Sequence, residues 1–198
     1  MMSGIRILAA LLICLLLAGL IALGRWHGAR RRETAATGGV SESHESCRRC
    51  HAAVWREWEA SYHSRAFSDP HVQAAFQHFG NDRKCRSCHA PRPILVAGVE
   101  VPAELRHERP ESGVNCLSCH ATPDGGVAAR RTIADAPCRP VEHADLAAGR
   151  LCGVCHESIF EDWQESRYAA EGKTCQECHM PDDPGRRGGR SHLCLGGH

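Results

Sequence analysis

Cys-x-x-Cys-His occurs five times in this chain: Cys47, Cys50 and His51; Cys85, Cys88 and His89; Cys116, Cys119 and His120; Cys152, Cys155 and His156; Cys175, Cys178 and His179. With 13 Cys and 14 His in 198 residues, chance would give roughly 0.06 of one match. The spacing has a mechanical reason. Two thiols about one helical turn apart can add to the two vinyl groups of a haem, and the next residue then brings its imidazole beneath the iron as proximal ligand. The pattern therefore predicts five covalently bound haem c groups, held by ten thioethers and five proximal histidines. Zinc is the rival for any single Cys-x-x-Cys pair. Zinc sites take ligands four at a time, so five repeats leave one unmatched, and zinc gives no reason for a His after every second Cys. A disulfide frame would explain the cysteines but not the histidines.

The five units lie within residues 47–179, which leaves about 27 residues for each haem. That is too little chain to surround each haem separately, so the haems are expected to pack on one another and form the core. Composition agrees. Aromatic residues make up only 5% of the chain and there are 19 Gly, a poor basis for a large conventional hydrophobic core. Stability then comes partly from what is bound. Closely spaced haem edges allow electron hopping, so the array reads as a wire rather than as five independent sites.

Charge divides unevenly along the chain. Residues 1–32 contain five Arg and no acidic residue. Without them the chain has 19 basic against 23 acidic residues, a formal charge of −4. Haem propionates would make the domain strongly acidic. No clustered basic face is present, which excludes nucleic acid as an expected partner.

Ile7 to Leu23 is apolar except for Gly19 and Cys14. At about 1.5 Å per residue it would reach roughly 25 Å as a helix, slightly short of a full bilayer core. It reads as an uncleaved signal anchor in preference to a cleaved signal peptide, with Ala22-Leu23-Gly24 the best cleavage site. The positive-inside rule, counting Arg25 and Arg30 to Arg32 against Arg6, would keep the C-terminal portion cytoplasmic. Haem attachment requires the opposite side, and we give the attachment chemistry precedence. The expected organisation is a signal anchor or signal peptide over 1–24, a polar linker over 25–43 and a pentahaem domain over 44–198.

Of the histidines outside the motifs, His27 is juxtamembrane; the other eight are His44, His63, His71, His78, His107, His143, His192 and His198. Five irons need at most five distal ligands, so the surplus favours bis-His ligation and low potentials. The distal candidates are His63, His107, His143, His192 and His198. The stretch from Ala52 to His63 has no Gly or Pro and reads as one helix, which would carry His63 too far along the axis to serve the iron bound by His51. His63 is therefore expected to reach another haem. Asp69-Pro70 and Phe79-Gly80 mark the ends of a second helix, with His71 and His78 on one face. His107 and His143 lie in loops between motifs, and His192 and His198 in a Gly-rich tail able to fold back.

The chain also repeats itself. Residues 47–63 match residues 152–168 at an offset of 105, pairing Trp58 with Trp163, Ser61 with Ser166 and Trp55 with Phe160. The informative difference is Tyr168 where the first copy has His63. Either another histidine fills that place, or one haem is left with an open coordination position.

Taken together, CRRCHAAVWREWEASYHSRA, CRSCHAPRPI, GVNCLSCH, CGVCHESIFEDWQESRYAAEGKTCQECHMP and SHLCLGGH resemble multihaem cytochromes c of the cytochrome c-554 type. That group is related to the haem arrays of hydroxylamine oxidoreductase. The resemblance spans about residues 44–198. It implies a mostly α fold with long loops, in which stacked haems form the core, joined here to an N-terminal hydrophobic helix. It also implies a role in electron transfer, with His63 a distal ligand and His192 and His198 further candidates. Members often have an aromatic residue where Cys194 stands. Cys194 and Cys138 are spare, either joined as a disulfide or free as thiols.

The expected function is a membrane-anchored, periplasmic electron relay. Its partners would be a quinol-oxidising membrane complex or a periplasmic oxidoreductase. Two alternatives stay open. One is an oxidoreductase acting on a small nitrogen or sulfur compound at an open haem, although neither Lys84 nor Lys173 follows a Cys-x-x-Cys pair as in the pentahaem nitrite reductases. The other is a subunit of a larger cytochrome complex, an oligomer or filament in which a tail histidine reaches a neighbouring chain.

Overall fold

Each Cys-x-x-Cys-His unit sits at a helix end, and the fold is a set of short helices joined by loops. The computed structural model describes Gly19, residues 43–186 and residues 189–196. The apolar run, the linker and His198 lie outside the described residues, apart from Gly19 and Ser43. Among the described residues no helix is long and apolar enough to cross a membrane.

Units 1 and 4 share one design. In each, the cysteines close a tight turn, and the histidine stands at the N-terminal boundary of the next helix: His51 before α1 (Ala52–Ala60) and His156 before α8 (Glu157–Gln164). The His N–H donates to the carbonyl of the first cysteine in both, at 2.8 Å in unit 1 and 2.9 Å in unit 4. The expected helix through His63 is corrected here, because α1 ends at Ala60. Ser61 turns into extended backbone, and both its N–H (2.9 Å) and its hydroxyl (2.7 Å) donate to the Trp58 carbonyl. Such side-chain bonding competes with the helix ladder and stops it. Ser166 repeats the device on Trp163, at 2.9 Å and 2.6 Å.

Units 2, 3 and 5 lie within short helices of their own: α3 (Arg83–His89), α5 (Cys116–His120) and α10 (Cys175–His179). Each begins at a polar cap. The Asp82 carboxylate accepts from Lys84 N–H at 2.8 Å. Asn115 and Ser118 form a reciprocal capping box, as do Thr174 and Glu177. Such caps stabilise helices too short to persist alone. Between units 1 and 2 lies α2 (Pro70–His78), capped by Asp69 with Pro at its start, as the sequence predicts.

The remaining elements are small. Helix α4 (Ile94–Ala97) follows unit 2, while α6 (Ala144–Ala147) and α7 (Gly149–Gly153) lead into unit 4. Helix α9 (Arg167–Ala170) follows α8. Two three-residue strands, β1 (Val127–Ala129) and β2 (Pro140–Glu142), pair in parallel with Ala128 opposite Val141. The main apolar cluster is Ile94, Leu95, Ala128 and Leu151, with Cys119 and Val154 against it. It is small for a chain of this length and lies beside units 3 and 4.

Candidate functional site

Two pairs of histidine rings face each other across different units. His63 and His156 have ring centroids 6.2 Å apart, and His120 and His192 have centroids 6.0 Å apart. An iron held between two imidazoles at metal–nitrogen distances of about 2.0 Å places the ring centroids roughly 6 Å apart. The donor set and its spacing thus fit bis-His haem at units 4 and 3. His63 comes from the turn after α1, so the helix of unit 1 delivers a side chain to unit 4. His192 comes from the tail and faces unit 3.

The protonation pattern fits as well. His120 Nδ1 donates to the Ala128 carbonyl at 2.8 Å, His89 Nδ1 to Ala66 at 2.5 Å and His192 Nδ1 to Arg190 at 2.9 Å; His179 Nδ1 donates to Leu195. A backbone carbonyl only accepts, so the proton is on Nδ1 and the Nε2 lone pair is left for a metal. Burial holds His63 and His156 below the ordinary histidine value, and each faces a second histidine charge, from His156 and His179 respectively. Burial likewise lowers His120, and with the neighbouring His120 it pulls His192 down to about 4. These imidazoles are therefore neutral near pH 7, the form that binds metals.

The thiols bring the units together. Cys47 of unit 1 meets Cys116 of unit 3; the hydrogen bond from Cys116 pulls Cys47 down to about 7 and pushes Cys116 up. Cys88 of unit 2 meets Cys155 of unit 4 in the same way, with Cys88 drawn to about 7. Cys152 of unit 4 adjoins Cys175 of unit 5 and Cys119 of unit 3, and burial pushes it to about 12. Neighbouring units thus run 1, 3, 4, 5, with unit 2 joining at unit 4.

The other candidates stand elsewhere. His107 is exposed in a loop, and His143 is half-buried before α6, 3.9 Å from the Asp145 carboxylate. Among the described residues neither makes a ring contact with a motif histidine. His71 and His78 are exposed on α2, and Tyr168 is exposed on α9 with Arg167 over its ring. Cys138 and Cys194 are free thiols, not a disulfide. Burial pushes Cys194 to about 11.

Sequence reasoning passed over three residues that build the site. His44 is buried, stacked on Trp55 at 5.5 Å, and accepts from Asn115 Nδ2 at 3.5 Å, tying α1 to the cap of unit 3. Gly113 supports the turn that carries His63. Glu57 binds Arg186 and the backbone of His192. All three act through contacts far apart in sequence, so no local signal marks them. Trp55 Nε1 is buried without a partner, a donor that a haem propionate could accept.

Helical Cys-x-x-Cys-His units, Nδ1-protonated histidines and facing imidazole pairs are the arrangement a multihaem c-type cytochrome requires. Residues 46–121, which contain units 1 to 3, match the family described as cytochrome c554 and c-prime. The match supports membership of a cytochrome c554-type multihaem family, with covalently bound haem c and a role in electron transfer. No curated protein and no solved structure matches the chain.

Proposed function

We propose that this chain is a periplasmic, membrane-anchored pentahaem cytochrome that relays electrons between redox partners. The observation that carries the reading is that histidines from different units face each other: the turn after unit 1 brings His63 opposite His156 of unit 4, and the tail brings His192 opposite His120 of unit 3. A chain with independent sites has no need of that stitching; a wire does, because hopping rates depend on fixed separations.

When bound, each haem supplies reversible one-electron iron chemistry. The chain does the rest. Each cysteine pair would fix one haem in position, and His51, His89, His120, His156 and His179 would ligate the irons. The carbonyls of Ala66, Ala128 and Leu195 keep the Nδ1 protons of His89, His120 and His179 in place. His63, opposite His156, and His192, opposite His120, would supply second imidazoles at units 4 and 3 and keep water from the metal. The contact order 1, 3, 4, 5, with unit 2 at unit 4, supplies the path and one branch. Electrons would enter from a quinol-oxidising membrane complex or a periplasmic oxidoreductase, with the apolar run 7–23 as the anchor.

The test is expression of the full chain with periplasmic haem maturation. Intact mass and alkaline pyridine absorbance should give five haems per chain, in the membrane fraction and on its periplasmic side. Fewer than five haems, or a haem-free chain kept in the cytoplasm, overturns the proposal.

A further inference from the structure

We infer that Glu57 is a positioning residue for the unit 3 iron site: from the helix of unit 1 it holds the tail so that His192 stands opposite His120. The inference rests on the reading of His192 as the distal ligand there. Glu57 Oε2 accepts from the backbone N–H of His192 at 2.8 Å. Both carboxylate oxygens accept from Arg186 Nη2, at 2.7 and 2.9 Å. The two side chains are only 24% and 19% exposed, so this is not a screened surface pair. Arg186 Nε also contacts Asp183 at 2.7 Å.

A second anchor comes from unit 5. Arg190 Nη1 donates to the carbonyls of Gln176 and Met180, at 2.9 and 3.1 Å, and the Arg190 carbonyl accepts from His192 Nδ1 at 2.9 Å. The backbone of His192 is thus pinned by Glu57 and its ring by Arg190. That leaves Nε2 as the free ring nitrogen on a ring 25° from the plane of His120. The arrangement links three units: 1 through Glu57, 3 through His192 and 5 through Arg190. Glu57 is the part of it that both bonds the ligand's backbone and pairs with a largely buried cation; its removal leaves Arg186 with Asp183 as its remaining carboxylate.

The experiment uses the haem-loaded full chain, read by electron paramagnetic resonance and optical absorption of the oxidised form. Glu57→Ala should convert one haem per chain from low spin to high spin, and added imidazole should restore the low-spin signal. Glu57→Gln keeps an acceptor for the His192 N–H and should stay largely low spin. His192→Ala should give the same high-spin haem. If His192→Ala changes nothing, the ligand reading fails and the inference falls with it. If His192→Ala yields the high-spin haem while Glu57→Ala leaves every haem low spin, the inference alone is overturned. Should Glu57→Ala not accumulate, the pair Glu57→Ala with Arg186→Met removes the carboxylate without stranding the guanidinium, and carries the same expectations.

Discussion

Gly113 packs against the backbone of His63 with a φ of +59°, so closely that a Cβ there would lie 2.7 Å from the Ser64 carbonyl oxygen and nearer still to that of His63. The next residue completes the contact: Val114 N–H donates to the same His63 carbonyl at 2.9 Å. The loop before unit 3 therefore supports the turn that presents His63 to unit 4. Gly113→Ala meets two obstacles, a left-handed backbone and backbone atoms that cannot rotate away. It should destabilise the chain by about 1–3 kcal/mol. It should also push His63 off its axis, which a lower Tm and a new high-spin haem would register together.

His63 itself should report through potential. Replacing it with methionine keeps a soft ligand within reach of the unit 4 iron and exchanges His/His for His/Met ligation. Methionine raises haem potentials, and axial ligands as a class span about 0.8 V. Spectroelectrochemical titration of His63→Met should move one haem upward and leave the others near their original values. An unchanged titration would remove His63 from the ligand set.

The parts of this site that were legible in sequence are those in which chemistry is local. Cys116, Cys119 and His120 stand within five residues, so their joint role can be read without the fold. His63 is expected to serve a haem other than that of His51 from the length of a helix that in fact ends at Ala60; that it faces His156 is set by tertiary packing, which no local pattern encodes. The end of α1 was misread because no Gly or Pro marks it; the break is a serine hydroxyl bonded to the Trp58 carbonyl. Three-residue strands such as Val127–Ala129 are too short for alternation to show. Glu57 and Arg186 are 129 residues apart, and no pattern joins them.

Gly153, within unit 4, makes a second steric prediction. A Cβ there would lie 2.7 Å from Phe160 Cγ and 3.0 Å from Cδ1. Phe160 is buried, so Gly153→Ala should destabilise the chain by about 1–3 kcal/mol through overpacking. The equivalent residue in unit 1 is Arg48, whose guanidinium lies 5.7 Å from the Trp55 ring centroid. Arg48→Gly should lose no more than about 1 kcal/mol. Thermal unfolding of both variants checks the asymmetry: the conservative change in unit 4 is the damaging one.

A pH dependence follows from the turn that starts β1. Thr122 donates its hydroxyl to Asp124 Oδ1 at 2.5 Å, and Gly126 N–H donates to the same oxygen at 3.3 Å. The hydroxyl foremost, with the Gly126 amide second, holds the Asp124 carboxyl below its ordinary value of 3.8. A carboxylate with a lowered folded value contributes stability that is present above the unfolded value and is lost as pH falls through the folded one. The turn at 122–126 should therefore loosen below about pH 4. Hydrogen exchange of a peptide covering residues 121–129 should accelerate over that range. Asp124→Asn, which has no proton to gain, should exchange at a rate that no longer varies with pH beyond the intrinsic chemistry. If both proteins follow the same curve, Asp124 does not hold the turn.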